Sequence, residues 1–250
     1  MTRTAAASAT LAAVALLASC TSRGAPAANA DPSRAAVVQR FVDQPVPPTV
    51  HWTRHNSPLG NLWNAYYPGI GIFTLDPTGR LILTAVFAQP TTQPRTPLLP
   101  AALLHDAEQF ITAHRLTLAR MTLYHDSEHD DGAQILFTAT WRERRGAAWL
   151  PALISVTLTA AGQPVSFTHN PTTTAAVDTT PKVSAATARA TVIRAARGHP
   201  IIGSPELDVI GPPTQPPRLA WIFTVSASTD DAEPSPIQVA VDAETGHLIS

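Results

Sequence analysis

The feature that most constrains the fold is a short pattern that occurs twice. Residues 72–84 (IFTLDPTGRLILT) and residues 239–249 (VAVDAETGHLI) match with one deletion. Each reads as an alternating strand, a turn led by Asp and containing Thr-Gly, and a returning apolar strand. Asp at the head of a turn accepts hydrogen bonds from its own backbone, and Gly supplies the positive φ that a tight reversal needs. Strands joined by so short a turn pair antiparallel. Residues 237–241 (IQVAV) alternate with period two, as a half-buried strand does.

The elements before these hairpins also recur. Residues 183–197 read as a helix with Ser184 as N-cap, Ala188 and Val192 on one face, and Gly198 and Pro200 ending it. Residues 205–209 and 218–226 are strands, separated by a loop that Pro212, Pro213, Pro216 and Pro217 impose. Residues 101–114 predict another helix, with Leu103, Ala107, Phe110 and Ile111 on its apolar face. Strands at 121–125, 134–142, 153–159 and 165–169 follow, with a polar loop at 126–132 and a turn at Gly162. Residues 33–42 fit as the helix of a third, partial copy that ends in the 72–84 hairpin, whereas the stretch around Trp52 to Tyr67 fits no simple pattern.

The expected fold is therefore α+β, with tandem units of one helix packed on a small antiparallel β-sheet. The expected boundaries are a signal peptide at 1–19, a tether at 20–34, an N-terminal α+β segment with a hairpin at 35–99, a unit at 100–170, a linker at 171–182 and a unit at 183–250.

The first 20 residues give an address. Arg3 is a short positive region, and residues 11–18 (LAAVALLA) form an apolar stretch too short to span a bilayer, which takes about 20 residues. Residues 17–20 (LASC) resemble the bacterial lipobox, and the resemblance implies cleavage before Cys20 and lipid on its sulfur. Cys20 is the single cysteine of 250 residues, so no internal disulfide forms and the core alone must stabilise the fold. The protein is thus expected at the outer face of the cell membrane, with its lipid anchor on Cys20 as membrane partner. Charged residues are 14 % of the chain and the net charge is −1, which argues against nucleic acid as a partner.

The last 68 residues resemble a PepSY-type domain. The resemblance rests on the helix at 185–196, the strand 219–225 (LAWIFTV) and above all the closing hairpin 237–249 (IQVAVDAETGHLI). Residues 100–169 resemble a diverged second copy whose turn lacks the Asp and the Thr-Gly pair. The resemblance implies a non-catalytic module of the cell envelope, of a kind that includes restraints on secreted peptidases.

No catalytic set accompanies this pattern, and no cofactor or metal is expected. His125, Glu128 and His129 are metal-capable but sit among turn-forming residues, without an HExxH spacing. His105, Asp106 and His114 lack a nucleophile, since no GxSxG occurs. Asp76 and Asp242 read as turn residues rather than a catalytic pair. Trp52, Trp63, Tyr66 and Tyr67 are the candidate binding surface, because clustered aromatics suit interfaces, though they also suit an ordinary core. The expected function is a non-enzymatic envelope lipoprotein that binds a protein or peptide, a peptidase among the candidates. The alternative is a carrier of lipid or another apolar small ligand.

Overall fold

The computed structural model describes residues 32–47, 50–57, 60–88, 97–132, 134–172, 177–196, 200–211, 216–226 and 236–249. Cys20, the expected signal peptide and all but the last three residues of the expected tether lie outside the described residues. No described helix is long and apolar enough to cross a membrane. The chain forms two compact units, one of Pro26–Val177 with Ile210–Pro217 and one that includes Asp178–Val209 and Arg218–Ser250.

The first unit begins with helix α1 (Pro32–Val42), followed by strands β1 (Trp52–Ser57), β2 (Gly60–Tyr67), β3 (Gly71–Leu75) and β4 (Ile82–Phe87). Helix α2 (Pro100–Ala113) then precedes β5 (Met121–Asp130), β6 (Ile135–Arg145), β7 (Ala148–Thr159) and β8 (Pro164–Asn170). Both helices open on Pro, whose fixed φ suits a first helical turn that needs no N–H. In α2 the buried residues Leu103, Ala107 and Ile111 recur every fourth position, a single stripe against the sheet.

Each group of four strands is an antiparallel meander, and the two meanders join through their closing strands. β4 pairs β8 with Ala85 opposite Phe167, so the ladder runs β1-β2-β3-β4-β8-β7-β6-β5. This corrects the expected fold class. The described residues hold thirteen strands and three helices, and the regions at 35–99 and 100–170 share one sheet instead of carrying a small sheet each. The physical reason is the strand edge. β4 and β8 would each expose a row of unpaired N–H and C=O groups, and pairing them satisfies both. They also share one core, in which Ala35 and Val38 of α1 and Leu103 of α2 bury against Phe73, Phe137, Val156 and Phe167.

A second correction concerns the loop expected at 126–132. β5 continues through it to Asp130, in register with β6 up to Asp130 opposite Ile135, after an irregularity between Leu123 and His125. β5 pairs with β6 alone, so it is an edge strand, and charged side chains there discourage further pairing.

The helices cover the inner face of this sheet. On the outer face, register partners trace a polar row across all eight strands, from His125 through Thr140, Ser155, Thr168, Thr84 and Thr74 to Asn64 and Thr53. Hydroxyls pair across strands within it, Thr140 with Ser155 at 2.9 Å and, in the next row, Thr138 with Thr157 at 3.1 Å. Such pairs contribute a few tenths of a kcal/mol to about 1 kcal/mol each.

The second unit holds helix α3 (Ala185–Ala195) and strands β9 (Ile201–Ile202), β10 (Glu206–Ile210), β11 (Arg218–Ser226), β12 (Ile237–Asp242) and β13 (Leu248–Ile249). β11 is central, with β12 on one edge and β9 and β10 on the other, and β13 follows β12. Ser184 caps α3 by accepting from the Thr187 amide at 3.2 Å. Ala188 and Val192 bury against Phe223, Val225 and Val241.

Candidate binding surface

The four aromatics proposed from the sequence divide between two faces. β1 and β2 pair with Trp52 opposite Ala65 and Arg54 opposite Trp63, and side chains alternate along each strand. Trp52 and Tyr67 point inward, are 2 % and 0 % exposed, and meet edge to face at 6.2 Å. Burial pushes the Tyr67 phenol up to about 12, and its hydroxyl has no partner among the described residues. Trp63 is half-buried on the same face. The Arg34 guanidinium lies 3.4 Å from its ring centroid, Arg54 lies 5.0 Å away, and the indole N–H donates to the Pro77 carbonyl at 3.2 Å. Trp63 therefore ties α1 to the β3–β4 turn.

Tyr66 alone points outward, with 62 % of its surface exposed. Its register partner is Ile72, also exposed, whose partner on β4 is Val86. Tyr66, Ile72 and Val86 thus form a short apolar row on the outer face. The row continues into Ser166 and Thr157, so an apolar end gives way to hydroxyls. Sequence reasoning missed Ile72 and Val86. The available signal was the repeated hydroxyl-x-hydroxyl triplet at Thr138/Thr140, Ser155/Thr157 and Ser166/Thr168, which marks one face of three neighbouring strands.

The two carboxylates of the repeated hairpins are turn anchors. Asp76 accepts from the amides of Arg80 at 2.8 Å, Leu81 at 2.9 Å and Thr78 at 3.4 Å, and from the Thr78 hydroxyl at 2.6 Å. Burial opposes its ionisation, and these bonds outweigh burial and hold the carboxyl below its usual range. Asp242 accepts from the amides of Glu244 and Thr245, both at 2.8 Å. Burial again raises its pKa, and bonds from Thr245 and Glu244 with the charge of Arg218 lower it by more. Asp76 through both oxygens and Asp242 through Oδ1 thus hold the turns that they head.

His105 contacts the Gln109 amide nitrogen at 2.8 Å along its own helix, and His114 contacts the Phe110 carbonyl. Burial lowers the pKa of His169, whose Nδ1 has no partner among the described residues. Among the described residues no three His, Cys, Asp or Glu side chains come together in a group able to hold a metal ion.

No family model matches this chain, and no curated protein matches it. Among solved structures, the Bacillus megaterium YpeB C-terminal domain is similar over 87 % of this chain and 94 % of that one, at 13 % identity and a TM-score of 0.48.

Proposed function

We propose that the protein is an exported, lipid-anchored binding module that captures another exported protein or peptide and performs no chemistry of its own. The observation that carries this reading is the outer face of the eight-stranded sheet. Both helices of that unit pack on the inner face, which leaves Tyr66, Ile72 and Val86 beside a field of Ser and Thr hydroxyls. An exposed Tyr and Ile bordered by half-buried hydroxyls, with few charges, is the chemistry of a contact surface. Cys20 supplies the anchor, and the hairpin resemblance directs attention to peptidases as the class of partner.

A photoreactive amino acid placed at position 66 of the anchored protein tests the reading in cells. One stoichiometric crosslinked product containing an exported protein is expected. It should weaken when Ile72→Asp is added, because that change puts a charge beside the contact. A crosslinking pattern without a dominant partner, or one indifferent to Ile72→Asp, would overturn the proposal.

A further inference from the structure

A cavity of about 460 Å³ opens where α1 and α2 end, beside the β3–β4 turn. Its volume lies in the range of small-molecule sites. Phe41, Ile82, Leu116 and Phe167 form its apolar wall. The wall is a fixed aromatic cluster, in which the Phe41 ring stands 5.2 Å from Phe167, 6.0 Å from Phe110 and 4.2 Å from the His114 ring. The rim carries opposite chemistry. Arg40, Arg80 and Arg115 line it against one carboxylate, Asp43. In a chain of net charge −1, that is a local concentration of positive charge.

The backbone at the rim gives a second, independent observation. Asp43 at φ 49° and Arg115 at φ 60° are the non-glycine residues of positive φ among the described residues, and both line this cavity. Arg115 occupies the left-handed position of a helix-ending motif, with its amide on the Thr112 carbonyl and the Leu116 amide on the Ile111 carbonyl. Glycine fills that position without strain and is the usual choice. Strained side chains that gather at one cavity mark places where the side chain itself is used.

We propose that this cavity binds an amphiphile with a single carboxylate head and a short acyl chain. The chain lies on Phe41 and Leu116, and the head is held by Arg40, Arg80 and Arg115. Guanidinium groups suit a carboxylate because their paired N–H donors match its two oxygens. This site is separate from the outer sheet face and stands whatever protein that face contacts.

The test uses the full chain in phosphatidylcholine nanodiscs, with empty nanodiscs to subtract partitioning, and carboxyl-labelled octanoate read by NMR line broadening. Saturable octanoate binding is expected, tighter than that of octanol by about tenfold and weakened by added salt. Octyltrimethylammonium should not compete. Replacing Arg40, Arg80 and Arg115 together by Ala should erase the preference over octanol. Ala113→Trp, which fills the opening from an exposed position, should abolish binding of both while circular dichroism stays unchanged. Equal affinity for octanol and octanoate, a preference that survives the triple replacement, or no saturable binding would each overturn the proposal.

Discussion

The turns at Asp76 and Asp242 close over the same span and are fastened to their surroundings by different means. In each, the Asp amide donates to a carbonyl five residues on, Leu81 in one and His247 in the other, at 2.9 and 2.8 Å. Each positions a glycine at positive φ, Gly79 and Gly246, one place apart in the two turns. The deletion in the sequence match is thus a shift of glycine within a loop of constant length. Each turn also docks on the start of a helix in its own unit. At Asp76 the docking is by side chains, with Arg34 against Gly79 and Trp63 on the Pro77 carbonyl. At Asp242 it is chiefly by backbone, with the amides of Lys182 and Val183 both donating to the Ala243 carbonyl at 2.9 Å, and the Thr191 hydroxyl of the helix adds one bond to the Gly246 carbonyl at 3.3 Å. A turn held by side chains is exposed to substitution in a way that a turn held by backbone is not.

The largest expected effect follows from that contrast. Trp63→Ala removes an indole hydrogen bond, a stacked guanidinium and half-buried ring surface, and should destabilise the β3–β4 turn by about 2–3 kcal/mol. Lys182→Ala removes an exposed ion pair with Glu244 but leaves the backbone docking in place, and should leave the β12–β13 turn unchanged. Amide hydrogen exchange at Leu81 and at His247 reads the two turns locally, which suits a chain of two units. Equal losses of protection would end the distinction between side-chain and backbone docking.

Next in size are the carboxylates. Asp76→Ala leaves the amides of Arg80 and Leu81 without an acceptor and should cost about 1–2 kcal/mol, and Asp242→Ala should cost about as much. Both carboxyls titrate below their unfolded value of about 3.9. Their contribution is therefore complete above about pH 5 and is lost as pH falls through the folded pKa. Wild type and either variant should converge in stability once pH falls below the folded pKa of the carboxyl, in urea titrations followed by turn-specific exchange. A gap that persists in acid would mean that the turns depend on packing at these positions and not on charge.

What the sequence made legible is what neighbouring residues decide. The helices at 33–42, 101–114 and 183–197 are visible in apolar spacing and in Ser184, and the structure places them at Pro32–Val42, Pro100–Ala113 and Ala185–Ala195. Both Asp turns are visible because the acceptor and the donors lie within five residues. The pairing of β4 with β8 was hidden, since nothing local tells Ala85 that its partner is Phe167. The first half of β5 was visible, and its continuation through 126–130 was hidden because the polarity there, which reads as loop, also suits an edge strand. The split of Trp52 and Tyr67 from Tyr66 depended on which face the helices cover. The candidate cavity was the least legible, since residues 40–43, 80–82 and 113–116 meet only when two helix ends and a turn converge.

The smallest expected effect lies in the middle hairpin, which tests how general the turn design is. The β7–β8 turn lacks Asp, yet Thr159 stands at its head. The Thr159 amide donates to the Gln163 carbonyl at 2.8 Å, and its hydroxyl accepts from the amides of Gln163 at 3.2 Å and Ala161 at 3.3 Å. This turn docks too, with the Leu98 amide before α2 on the Ala160 carbonyl at 2.8 Å. A neutral hydroxyl thus replaces the carboxylate in a turn one residue shorter, and the backbone docking resembles that of the last hairpin. Thr159→Ala should therefore cost only about 0.5–1 kcal/mol, without the acid dependence of the Asp variants. Exchange of the Gln163 amide measured at pH 7 and pH 4 checks both parts. A loss as large as that of Asp76→Ala would mean that the side-chain acceptor, and not the docked backbone, holds all three turns.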